Sequence, residues 1–171
     1  DGRNERGARI RLLYNDDVAV HISRRRAAMP FYFRNGDADE VHFVHEGTGV
    51  FETDYGTIPY EKGDYVVLPR CTTYRVVPST PENFFLVIEA FSAVRPPNMQ
   101  EKGLIGMHAL YDLSAITTPV LPDVYDEQAG IEHEIRVQRD GILSSVFYPF
   151  NPLDAVGWKG DLFSWKINVR D

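Results

Sequence analysis

The chain has 171 residues, 43% of them hydrophobic and 25% charged, with a formal net charge of −7. That length buries a core in one domain, or in one domain and part of another. The acidic balance argues against nucleic acid or an anionic membrane as partner, and no apolar run is long enough to cross a bilayer as a helix. The single cysteine, Cys71, excludes an internal disulfide framework and a cysteine-rich zinc site. A lone thiol without a signal-peptide pattern fits a reducing cytoplasm, the expected location. The chain opens on "DGRNERGARI" without an initiator Met and closes on "WKINVRD", inside what reads as a strand. A fragment of a longer protein is the expectation.

In chain order, helical periodicity is scarce. Short runs rich in Val, Ile, Tyr and Phe recur between Gly, Asn, Asp and Pro. They are Val18–Ser23, Ala28–Arg34, Glu40–Gly47, Gly49–Gly56, Gly56–Gly63, Asp64–Arg70, Thr73–Pro78 and Asn83–Phe91. Eight antiparallel strands make a jelly roll. From Ser92 to Gln128 the texture is Pro-rich and aperiodic, that of a long surface connection. Strand texture returns over His133–Phe150, where "RDG" signals a hairpin, and again in "GDLFSWKINVRD".

The stretches "GDADEVHFVHEGTGVFETDYG" and "GDYVVLPRCTTYRV" resemble the two conserved motifs of the cupin barrel, with turn glycines Gly47, Gly49, Gly56 and Gly63. The resemblance implies a double-stranded β-helix. In metal-binding cupins two His and a Glu in the first motif and a His in the second hold iron, manganese or zinc. Here Glu40 stands in the place of the glutamate, but no His lies among the "FYFRNGDAD" residues before it, and Tyr74 replaces the last ligand. Period-2 alternation puts Glu40, His42 and Val44 on one face and His45 on the other. Two ligands on one face are too few for a catalytic metal, so the barrel is expected to be metal-free, with Glu40, His42 and Tyr74 lining its pocket.

The remaining candidates carry weaker signals. His21 sits in an alternating strand and His108 in the connection; His133, between Glu132 and Glu134, reads as part of a solvated edge. Arg70 precedes Cys71 and could lower its thiol pKa, but a cysteine without a His partner reads as structural. Arg24, Arg25 and Arg26 read as a solvated loop.

The most selective segment is "YPFNPLDAVGWKGDLFSWKINVRD", Tyr148 to Asp171, which resembles the homogentisate 1,2-dioxygenase family. "DDVAVHISRRRAAMPFYFRNGDADEVHFVHEGTGVFETDYG" is similar to that family's first barrel, and "EKGLIGMHAL" to its connector. Ser164 departs from the pattern, since many relatives have Pro there. The resemblance implies residues 1–91 as a degenerate cupin barrel, 92–128 as connector, and 129–171 as strands leading to a second, catalytic barrel. That barrel would bind Fe(II) through two His and one Glu beyond Asp171 and convert homogentisate and O2 to maleylacetoacetate, in tyrosine and phenylalanine catabolism. No catalytic residue and no iron ligand is expected in these 171 residues, which alone would be inactive. Trp158 and Trp165 would pack against the catalytic barrel, and the implied assembly is a trimer or hexamer. Two alternatives remain open: a metal-free cupin binding or structural module, and a metal-independent cupin isomerase using His42 or Tyr74 as acid/base.

Overall fold

The computed structural model describes residues 9–96, 112–121, 130–153 and 162–171. His108, Trp158, the "EKGLIGMHAL" segment and most of the connector lie outside them. Among the described residues regular structure is almost wholly β. The first strands are β1 (Arg9–Tyr14), β2 (Val18–Arg25), β3 (Tyr32–Asn35) and β4 (Asp39–Glu46). They are followed by β5 (Gly49–Thr53), β6 (Gly56–Tyr60), β7 (Asp64–Leu68), β8 (Thr73–Pro78) and β9 (Asn83–Ala90). A single 3₁₀ turn at Leu113–Ala115 precedes β10 (His133–Arg139), β11 (Ile142–Tyr148) and β12 (Trp165–Asn168).

The strands form two six-stranded sheets, ordered β1-β2-β9-β4-β7-β12 and β11-β10-β3-β8-β5-β6. The inner four of the first sheet and the last four of the second are the eight strands read from the sequence, and all pair antiparallel. This is the all-β cupin jelly roll that the turn spacing and the two motifs imply. Alternation along each strand supplies the core: Val44, Val66, Phe85 and Val87 from one sheet meet Phe51 and Ile58 from the other.

Two details differ from the sequence reading. The run Ala28–Arg34 becomes a strand only from Tyr32, because Pro30 cannot donate to a ladder. Met29 nonetheless packs in the core, its N–H bonded to the Val76 carbonyl. The strand β1 was not foreseen. It pairs with β2 at the sheet edge and leaves Ile10, Leu12, Leu13 and Tyr14 about half exposed or more.

Later strands extend both sheets of the barrel. The "RDG" turn joins β10 and β11 as a hairpin in continuous register, and β10 runs parallel to β3 with Ile135 opposite Tyr32. Those two residues and Leu153 form a second, smaller core cluster. β12 pairs with β7, where Lys166 and Asn168 both reach the buried Asp64 carboxylate at 2.8 Å. Isolated bridges tie Thr57 of β6 to Val120 and Thr117 to Lys166 of β12, so this stretch straps the edge of one sheet to the edge of the other.

Candidate functional site: a charged network inside the barrel

Three neighbouring strands turn carboxylates and imidazoles inward. On β4 the alternation buries Glu40, His42 and Val44 and exposes His45, as the period-2 pattern predicts. On β9 the same rule buries Phe85, Val87 and Glu89, and on β2 it buries Ala19, His21, Ser23 and Arg25. Glu40 and Glu89 stand directly opposite each other in the β4–β9 register. Two like charges so placed repel and require a cation between them.

Arg9 of β1 is that cation. Its guanidinium donates two parallel hydrogen bonds to Glu40, 2.7 Å to each oxygen, and a third of 3.1 Å to Glu89 Oε1. The Asn35 amide bridges the same two carboxylates at 2.9 and 3.0 Å. His42 Nε2 and the Tyr74 hydroxyl reach Glu40 Oε2 at 2.9 and 2.6 Å, and His21 Nε2 reaches Glu89 Oε2 at 3.0 Å. Tyr74 also accepts from Arg9 Nη2. The structure therefore brings Glu40, His42 and Tyr74 together in one hydrogen-bonded group and surrounds them with Arg9, Asn35, His21 and Glu89.

Burial would raise the Glu40 pKa, but Arg9 and the His42 hydrogen bond hold it well below the usual carboxylate range. Burial lowers the His42 imidazole and raises the Tyr74 phenol well above its ordinary value. Burial also works against the Arg9 charge, yet Glu40 and Tyr74 more than reverse this and stabilise the guanidinium. Glu40 is thus an ionised acceptor, and each neighbour donates to it: Tyr74 through O–H and neutral His42 through Nε2–H. Arg25, 6% exposed at the end of β2, is pulled down to about 10 by burial.

The arrangement does not fit Fe(II). Both oxygens of Glu40 already accept from Arg9 and from Asn35, His42 or Tyr74, so no lone pair is left facing an ion. Among the described residues no group of three or more His, Cys, Asp or Glu side chains is placed to hold a metal. Nor is Glu40 poised as a base, because a carboxylate so strongly held in its charged form takes up a proton poorly.

Two sequence readings are corrected here. Arg25 is buried, not part of a solvated loop, because β2 continues through it and alternation turns it inward with His21 and Ser23. His133 is not on a solvated edge, because β10 lies between β3 and β11; its ring packs edge-on to Tyr32 at 5.9 Å. Arg24 lies over the Phe84 ring and Arg26 pairs with Glu82. Cys71 is exposed in a left-handed turn, φ 68°, and Trp165 is half-buried opposite Val67. Glu89 and His21 were accessible to the alternation rule that found Glu40. Arg9 was not, since a charged residue opening an exposed strand gives no pattern.

The fold and its interior define a cupin-type jelly roll whose charged centre is closed by its own side chains. Residues 8–169 match the profile of the homogentisate 1,2-dioxygenase N-terminal family, and the chain belongs to that family. A Saccharolobus solfataricus protein, named only as a candidate dioxygenase, is 30% identical across 95% of this chain and 42% of its own length. The homogentisate 1,2-dioxygenase of Nitrobacter hamburgensis is 30% identical over 90% of the chain, and that of Dictyostelium discoideum 26% over 89%. The chain spans 33% and 34% of those two enzymes. Among solved structures, a cupin-2 domain protein from Shewanella frigidimarina aligns with 48% of this chain and 79% of its own, at 19% identity and a TM-score of 0.43. Salicylate 1,2-dioxygenase from Pseudaminobacter salicylatoxidans aligns with 50% of this chain and 26% of its own, at 22% identity and a TM-score of 0.44. Among the described residues no helix is long and apolar enough to cross a membrane.

Proposed function

We propose that this chain is the non-catalytic barrel of an aromatic-ring-cleaving dioxygenase that converts homogentisate and O2 to maleylacetoacetate. The observation that carries the proposal is the family match over residues 8–169, nearly the whole chain. The saturated Glu40 carboxylate supports the non-catalytic part, because it leaves Glu40 itself neither a lone pair for a metal nor the freedom to act as a base. Fe(II) and its two His and one Glu are proposed to belong to the portion of the longer relatives that this chain does not span. The contribution of this chain is then architectural. Its outer strands offer apolar surface for that portion and for a homo-oligomer: Ile142, Leu143, Phe147 and Phe150 near β11, with Leu162 and Val169 flanking β12, are each more than half exposed. Trp158 and Trp165 are proposed to join this packing.

The test is oxygen uptake on homogentisate by the natural-length protein, wild type and with His42→Gln or Tyr74→Phe. Turnover within about threefold of wild type is expected of both variants, since neither side chain meets substrate in this proposal. A loss of several orders of magnitude in a variant that keeps its circular dichroism and oligomeric state would place chemistry in this barrel. No oxygen uptake by the iron-loaded wild type would exclude homogentisate as substrate.

A further inference from the structure

We propose that the Arg9 guanidinium is the resident cation of this barrel, a covalently tethered replacement for a divalent metal. This goes beyond the dioxygenase proposal and does not depend on it. By the resemblance to the cupin motifs, Glu40 and Tyr74 stand where metal-binding barrels carry ligands, and in this barrel both face the same charged centre. Arg9 touches both, with Nη1 and Nη2 each 2.7 Å from a Glu40 oxygen and Nη2 donating to the Tyr74 hydroxyl. It also reaches Glu89, which faces Glu40 across the β4–β9 ladder. The centre therefore has the design of an ion site: two carboxylates and a phenol converge on one positive group, and the Asn35 amide ties the two carboxylates together behind it.

The ligand geometry selects a guanidinium over other cations. Glu40 is engaged by a parallel two-pronged fork, and the third contact leaves the same planar group toward a second carboxylate. An ammonium is a point charge without that fork, and a divalent ion would need lone pairs that Asn35, His42 and Tyr74 already occupy. The Phe33 ring lies beside the guanidinium carbon at 5.0 Å and suits a flat, weakly hydrated cation. The proposal also gives β1 a role. Five of its six residues are exposed, and the remaining one, Arg9, is the residue that enters the barrel. β1 is the carrier strand of the ion.

The experiment truncates the side chain and returns the cation in solution. Arg9→Ala in the natural-length protein is expected to lower Tm by on the order of 10 °C. Millimolar ethylguanidinium, which replaces the missing atoms, should restore much of that loss saturably while leaving wild-type Tm unchanged. Ethylammonium and sodium chloride at the same ionic strength should not. If Arg9→Ala does not fold, Arg9→Lys carries the test: it keeps the charge without the fork and should melt well below wild type. Metal content per chain, by plasma mass spectrometry, should be identical in wild type and Glu40→Gln. The proposal is overturned by an unchanged Tm in Arg9→Ala, by equal rescue with ethylammonium, by Arg9→Lys as stable as wild type, or by one equivalent of metal lost in Glu40→Gln.

Discussion

At the scale of single residues, the barrel centre separates a charge that is indispensable from hydrogen bonds that are replaceable. Glu40 is 1% exposed and is the main counter-ion of Arg9, whose side chain is 20% exposed. Glu40→Gln leaves that cation with Glu89 alone, and removing one partner of a buried pair costs about 3–5 kcal/mol. The partial exposure of Arg9 puts the expected loss near the lower end, about 3 kcal/mol in urea unfolding. Tyr74→Phe removes one donor from an oxygen that keeps Arg9 and His42, and should cost about 1 kcal/mol. Equal losses in the two variants would show that Glu40 does not act as the counter-ion. Ser164 illustrates the reverse case. It is fully buried, and its hydroxyl finds no hydrogen-bond partner among the described residues. An orphaned buried hydroxyl costs about 1–3 kcal/mol, so Ser164→Ala should raise the urea midpoint; a lower midpoint would reveal a partner for Oγ.

At the scale of elements, what was legible in the sequence was whatever obeyed a local period. The eight barrel strands alternate because one face of each meets the core, and their turns carry Gly or Asp, so β2 to β9 could be read within a few residues. β1 could not, because both its faces are largely solvent-exposed and its anchor is a charge. Arg9 was hidden as a partner of Glu40 for a related reason. It lies 80 residues from Glu89 and joins the two carboxylates only through the strand order of its sheet. The strap around Val120 was equally invisible, but Gly56 records it. This glycine has φ +121°, and an added Cβ would lie 2.7 Å from the Val120 carbonyl oxygen. Gly56→Ala is expected to cost more than about 1 kcal/mol through backbone strain alone. The clash should also open the Thr57–Val120 bridge, so hydrogen exchange of those two amides should quicken while that of Val66 and Val87 does not. A neutral substitution with unchanged exchange would mean that the strap does not hold this edge.

At the scale of the whole molecule, the buried charges link stability to pH on the acid side. The His42 imidazole is lowered below its ordinary value of 6.5 by burial, so below about pH 6.5 the unfolded chain takes up a proton that the folded chain resists. Glu40 stands below its ordinary 4.5: burial opposes this shift, and Arg9 and His42 outweigh burial. The stability that Glu40 contributes is therefore complete above about pH 4.5 and is lost as pH falls through its depressed folded value. Both groups bind more protons unfolded than folded, so both contributions rise with pH and neither reverses the other. Urea unfolding free energy should accordingly be flat near neutrality, begin to fall below about pH 6.5, and fall more steeply below about pH 4.5. His42→Asn should remove much of the upper limb and leave the lower one, because Arg9 still holds the Glu40 charge. A wild-type profile that stays level down to pH 5, or an upper limb unchanged in His42→Asn, would mean that His42 accepts a proton in the folded barrel. The imidazole would then be reachable by water, and the closed network around Glu40 would have to open at modest cost. That opening is the one property a binding pocket at Glu40, His42 and Tyr74 requires, so the same titration separates a sealed structural centre from an accessible one.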